Sequence, residues 1–360
     1  MANDALSALQ ERFQAIQSQY SFSFAFKPRA SRNPDLLSDL LAQTTALIGE
    51  ARRVAGSADL LEQLESQRAV YESEREKVLA AQAQGPAAIE AAILASRANM
   101  AFFLYRGFFA GQSRSTRDIR LLEDIVGFLD GLLEQYEGLV RGYPGVVGTS
   151  DRDVIRNNLT MYRQEMEEIR KAQKEGDLNA IASNAATIAN SQFELYRTHF
   201  AGRPRISRRP ALLHRIVASL EDVRGVMTAA RRDGLREEFN EKNIEIVEGR
   251  LATYRDERVA VDAEMRDATA EQRVDGLATA ANTEMGLYRD GFAGQNRATR
   301  DLVALRDIVY RLFEIERQMS DLTRITDNTT NLRNLGIVQD TILTYMREYE
   351  EIEKAKGAQG

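Results

Sequence analysis

Four pairs of arginines recur in this chain in one local pattern: Arg29 and Arg32, Arg114 and Arg117, Arg205 and Arg208, and Arg297 and Arg300. In each pair a Ser or Thr directly precedes the second arginine. Two guanidiniums at the start of a helix suit an anion, because their planar forks of N–H donors meet phosphate, sulfate or carboxylate oxygens and the helix amides add to them. The same charge beside a positive helix end is unfavourable unless an anion answers it. Carboxylates of a neighbouring helix, such as Glu165, Glu168, Glu348 and Glu351, are one answer, as ion pairs within the chain. A bound phosphate, sulfate or acidic side chain is the other. The third set is the richest, with Arg203, Arg205, Arg208, Arg209 and Arg215 close together.

A second polar set accompanies the first. Asn99, Asn190 and Asn282 stand seven residues before Arg106, Arg197 and Arg289, so each Asn–Arg pair shares a helix face. This reads as a polar seam between helices, or as a face that meets a partner.

Other chemistry is thinly supplied. The absence of cysteine removes disulfides, thiolate metal sites and cysteine nucleophiles together. His199 and His214 are the only histidines; no Glu-x-x-His pair, HExxH, P-loop, GxGxxG or GxSxG string occurs. No catalytic residue, metal ligand or cofactor is therefore assigned, and an enzyme with an unfamiliar site in the third set stands as the last of three functional readings.

The elements that must hold these residues are visible as a repeat. LYRGFFAGQSRSTRDIRLLEDI (104 to 125) returns as LYRTHFAGRPRISRRPALLHRI (195 to 216) and LYRDGFAGQNRATRDLVALRDI (287 to 308), with a degenerate copy at 19 to 40. Tyr20, Tyr105, Tyr196 and Tyr288 are 85, 91 and 92 residues apart, and Tyr71, Tyr162, Tyr254 and Tyr345 are 91, 92 and 91 apart. Two markers with one period predict four tandem units, 1–86, 87–176, 177–267 and 268–360, the first a degenerate cap.

Each unit reads as three amphipathic helices, A, B and C, at 3 to 24, 33 to 56 and 58 to 82 in the first. Phe13, Ile16, Tyr20 and Phe24 form a stripe of helical spacing, and no strand-like alternation occurs. Gly111, Gly202 and Gly294 suit the left-handed position that closes helix A; Phe26 replaces them in the first unit. Ser31, Thr116, Ser207 and Thr299 are expected as N-caps of helix B, with Pro34 and Pro210 in its first turn. The third join, Asp267-Ala268-Thr269, has no breaker and predicts continuous helix. The fold expected is all-α: about twelve antiparallel helices in a bundle array or α-solenoid. An end-to-end arrangement resembles spectrin-type three-helix repeats in unit length and helix count; the chain has no Trp at their signature position, so the resemblance is one of architecture.

With 48 basic and 54 acidic residues, the net charge of −6 argues against nucleic acid as a partner. The longest apolar run, Met100 to Tyr105, predicts no transmembrane segment, and the N-terminus has no signal-peptide pattern, which makes the cytoplasm the expected location. The leading functional expectation is a non-enzymatic helical scaffold that contacts a protein partner or its own copies. An anion-binding module built on the arginine loops is the alternative.

Overall fold

The computed structural model describes residues 2–24, 29–83 and 85–357. Among these the chain is all-α, with twelve helices, four single-turn 3-10 segments and no strand. The helices are α1 (Ala2–Phe24), α2 (Pro34–Ala51), α3 (Ala58–Gln82), α4 (Pro86–Phe109), α5 (Ile119–Gly142), α6 (Ser150–Ala172), α7 (Leu178–His199), α8 (Pro210–Arg232), α9 (Glu238–Asp267), α10 (Ala270–Phe292), α11 (Leu302–Leu322) and α12 (Thr329–Gly357). They follow the A, B, C order of the sequence repeat.

Helix A ends as expected. Gly111, Gly202 and Gly294 take φ of +75°, +70° and +73°, a conformation that costs a residue with a Cβ about 1–2 kcal/mol. Phe26 lies outside the described residues. The four arginine segments then form the 3-10 turns Arg29–Ser31, Arg114–Thr116, Arg205–Ser207 and Arg297–Thr299.

Three expectations need correction. Ser31, Thr116, Ser207 and Thr299 belong to the 3-10 turns and do not cap helix B. The caps of α2 and α11 are Asn33 and Asp301, two residues further on, and Arg209 holds the same place before α8. The hydroxyls of Thr116, Ser207 and Thr299 instead donate back to the carbonyls of Ser113, Pro204 and Asn296. The third join is not continuous helix. α9 stops at Asp267, and Thr269 opens α10 with a reciprocal capping box to Gln272, two orphan amides being satisfied at once. Helix B of the first repeat ends at Ala51, before a turn that contains Gly56 at φ +81°.

α4 is long and apolar enough to cross a membrane by length and composition, and 72% of its most apolar window is buried inside the protein. Alanines supply that hydropathy, which a search for an unbroken run of large apolar residues overlooks.

The chain forms two compact units. One comprises Met1–Met100, Leu132–Ile155 and Leu343–Glu348; the other comprises Ala101–Gly131, Arg156–Ile342 and Tyr349–Gly360. In the first, α1, α2 and α3 enclose a core of Phe13, Ile16, Leu37, Leu40, Leu64 and Tyr71. In the second, α7, α8 and α9 enclose an equivalent core around Phe200, Leu213, Ile216, Leu220, Leu251 and Tyr254. Within the second unit the turns Arg114–Thr116 and Arg205–Ser207 also pack on the next helix A, α7 and α10 respectively. The turn at Arg205–Ser207 lies on α10, where Gly276 admits Ile206: a Cβ on that glycine would stand 2.6 Å from Ile206 Cγ2.

Candidate functional site

The two tyrosine sets that define the period meet in space. Tyr105 stacks on Tyr162 with ring centroids 4.1 Å apart, Tyr196 on Tyr254 at 3.8 Å, and Tyr20 packs tilted on Tyr71 at 4.8 Å. Three residues beyond each helix-C tyrosine stands a glutamate, Glu74, Glu165, Glu257 and, in sequence, Glu348. The first three receive the arginine pairs. Arg29 Nε is 3.1 Å from Glu74, Arg114 Nε 3.0 Å from Glu165 and Arg205 Nε 2.9 Å from Glu257, and Arg32, Arg117 and Arg208 donate to the same carboxylates. The second arginine also lies over the ring of Phe24, Phe109 or Phe200, 5.6 to 6.0 Å from the centroid. Arg117 and Arg208 reach back to the carbonyls of Gln112 and Arg203, and Arg300 does the same to Gln295. The positive charge beside the turn is thus answered by a carboxylate from helix C of the same repeat. In these three repeats the motif is a clamp that ties the A–B turn to helix C. Hydrogen bonding to Arg205 holds the Glu257 carboxyl below its ordinary range against the opposing effect of burial.

The Asn–Arg set lies mostly on the surface. Asn190, Asn282, Arg106, Arg197 and Arg289 are exposed and Asn99 is half-buried. Arg106 faces Glu350 and Glu353 at 3.6 and 3.7 Å, Arg197 pairs with Glu194, and Arg289 lies 3.4 Å from Asp290.

The buried polar seam sits elsewhere, four residues before each helix-A tyrosine. That stripe position is Ile16 and Ala101 in the first two repeats, and Gln192 and Glu284 in the last two; all four are buried. Gln192 Nε2 donates to Asp118 Oδ2 at 2.8 Å, and Glu284 accepts from Arg203 and, at 2.6 Å, from Arg311 Nε. In both cases the residue receives a side chain from the A–B connection of the preceding repeat.

A larger charged cluster joins α5, α8 and α11. Arg317 donates both terminal nitrogens to Asp124, at 2.9 and 3.1 Å; Arg209 Nη1 lies 2.8 Å from Glu314 and 3.6 Å from Asp124. Arg215 Nη2 donates to the Tyr310 hydroxyl at 2.8 Å. The Tyr310 ring meets Phe108 and His199 edge-on, at 5.0 and 4.8 Å, and these are equivalent residues of the second and third repeats. Burial works to raise the Asp124 carboxyl, but the charges of Arg317, Arg209 and Arg215 outweigh it and hold the group at about 2. Burial, then Arg311, Arg215 and Arg203, keep His199 neutral by lowering it well below the ordinary histidine value. Repeats two apart therefore touch directly in this unit, where an end-to-end stack would have kept them separate.

The histidines are engaged separately. His199 is buried on Tyr310, while the half-exposed His214 faces Asp262 at 3.0 Å. Among the described residues no group of three or more His, Asp or Glu is placed to hold a metal ion.

Where the three repeats converge, a cleft of about 350 Å³ opens. The end of α4 and its connection supply Phe108, Phe109, Gln112, Thr116, Asp118 and Leu121; α7 supplies Thr187 to Thr198, and α11 supplies Arg306 and Asp307. A second cleft of about 540 Å³ shares Glu194, Thr198 and Asp307 with it and includes Arg197. Asn190 and Arg197 of the sequence-predicted set thus each line a cleft. Gln192, Asp118 and Asp307 were missed by sequence reasoning; a polar residue at an otherwise apolar stripe position was the available signal for Gln192. Compared with models of protein families, with curated proteins and with solved structures, the chain matches none.

Proposed function

We propose that this protein is a helical repeat scaffold that acts by holding a partner protein, with the cleft between the second, third and fourth repeats as its working surface. One observation carries this reading. The recurring arginines close each of the first three repeats on itself, whereas the cleft draws its walls from three different repeats, whose helices are also joined by the buried ion pairs Asp124–Arg317 and Arg209–Glu314. Concave surfaces at the junction of modules are the usual place for a ligand, and repeat arrays commonly bind through such composite surfaces.

Site-specific photo-cross-linking in cells that make the protein tests this. A cross-linker in place of Asn190 on the cleft is expected to give one recurrent protein adduct, and the same group in place of the exposed Val259 on α9 is expected to give none. Light scattering separates a second copy of the chain from a different partner. The absence of any adduct from Asn190, with the protein monomeric, would contradict the reading.

A further inference from the structure

The cleft beside α7 presents several hydrogen-bond acceptors around a buried amide, with the exposed amides of Gln112 and Asn190 at its edge. The hydroxyls of Thr187 and Ser191 donate to the carbonyls of Ser183 and Thr187 in their own helix, and that of Thr116 donates to Ser113, which leaves oxygen lone pairs toward the cleft. Arg306, a cation among the lining residues, is held at each nitrogen: Nε and Nη2 by Asp307 at 3.0 and 2.8 Å, Nη1 by the Gly107 carbonyl at 3.3 Å, and its face by the Phe108 ring at 4.4 Å. Asp118 is 9% exposed and accepts from Gln192, from the Arg120 amide and, at 3.4 Å, from Ser219. Gln192 is wholly buried, its amide nitrogen is held by Asp118, and its Oε1 has no hydrogen-bond partner. A buried carbonyl oxygen without a donor is costly, and a ligand that supplies one recovers that cost.

We propose that this cleft binds a primary ammonium group on an aliphatic stem. The ammonium donates to Gln192 Oε1 and to the Asp118 carboxylate, and the stem lies along Phe108, Leu121 and Leu195. Three donors on a compact cation match an acceptor-lined pocket, and the apolar wall matches the methylenes. The inference rests on the cleft as working surface, not on the partner being a protein: a lysine side chain and a free diamine share this chemistry.

Titration of the full chain with Nα-acetyl-lysine methylamide, cadaverine and Nα-acetylnorleucine methylamide, followed by NMR at the Gln192 side-chain amide and the Leu195 methyls, tests it. Saturable shifts are expected with an amine and not with the norleucine compound. Saturation by the lysine compound assigns the ammonium to a partner's side chain, and saturation by cadaverine alone assigns it to a free amine. Gln192→Met is expected to weaken binding about tenfold. Glu194→Gln, on the exposed rim, keeps the fold whatever becomes of the first variant and is expected to weaken it about threefold. Equal shifts from the norleucine compound, no saturable shift from either amine, or unchanged affinity in a folded variant would overturn the proposal. Cross-linking from Asn190 would be unaffected by that failure, so the two readings fail separately.

Discussion

In the first repeat Arg29 and Arg32 close on Glu74, and in the third Arg205 and Arg208 close on Glu257, with the same tyrosine pair and the same phenylalanine behind them. The two repeats part at the start of helix B. The first has Asn33 and Asp39 there, both exposed, and Asn33 caps its helix. The third has Arg209 and Arg215 at the equivalent positions, both largely buried, one on Glu314 and Asp124 and the other on Tyr310. The second and fourth repeats carry acids at these positions, Asp118 and Asp124, and Asp301 and Asp307. One motif therefore closes a repeat internally in the three repeats where its geometry is described, and at two positions beside it the third repeat carries largely buried arginines where the first carries exposed Asn33 and Asp39.

The largest expected effect falls on the interior that is absent from the first repeat. Glu284→Gln removes the carboxylate shared by Arg203 and Arg311 at a wholly buried site and is expected to cost about 3–5 kcal/mol in urea unfolding. Loss of a clamp should be smaller and alike between repeats: Glu74→Gln and Glu165→Gln each leave a largely buried second arginine without its carboxylate and are expected to cost about 1.5–3 kcal/mol. A large difference between those two would break the equivalence of the clamps. Tyr310→Phe deprives Arg215 Nη2 of its acceptor and is expected to cost about 1–2 kcal/mol.

The acid response sharpens the same contrast. His199 binds a proton less readily folded than unfolded, so stability is full above the unfolded histidine value and falls as the pH drops below about 6.5. Asp124 behaves as a depressed carboxylate, and its contribution persists to lower pH, lost as the pH falls from the ordinary aspartate range toward about 2. His199→Phe, which copies the second repeat's Phe108, is expected to flatten the decline of the urea midpoint between about pH 6.5 and 5 while leaving the steeper loss at lower pH. At the small end, Arg197→Ala removes a surface i,i+3 pair with Glu194 and is expected to leave the midpoint unchanged.

Periodicity made the fold legible. Tyrosine spacing, the glycines after Phe-Ala and the apolar stripes fix three helices per repeat, because these features act through local geometry. The clamp was half visible: Glu165 was recognisable as a partner for the arginines, and Tyr-x-x-Glu on helix C was its unused marker. Caps were misplaced because Ser31 and Thr116 close a 3-10 turn that ends before the true helix start, and hydroxyl preference alone does not distinguish the two. The junction between repeats was the least legible. Attention to what recurs hides a residue such as Gln192 and reads Arg209 and Arg215 only as part of a cluster of arginines, when their importance lies in departing from the repeat.

The most direct test is a double-mutant cycle of Asp124→Asn and Arg317→Gln, two residues of α5 and α11 that belong to repeats two apart. If buried ion pairs join the second, third and fourth repeats, the coupling free energy from urea unfolding should exceed about 1.5 kcal/mol; additivity within about 0.5 kcal/mol would contradict that claim.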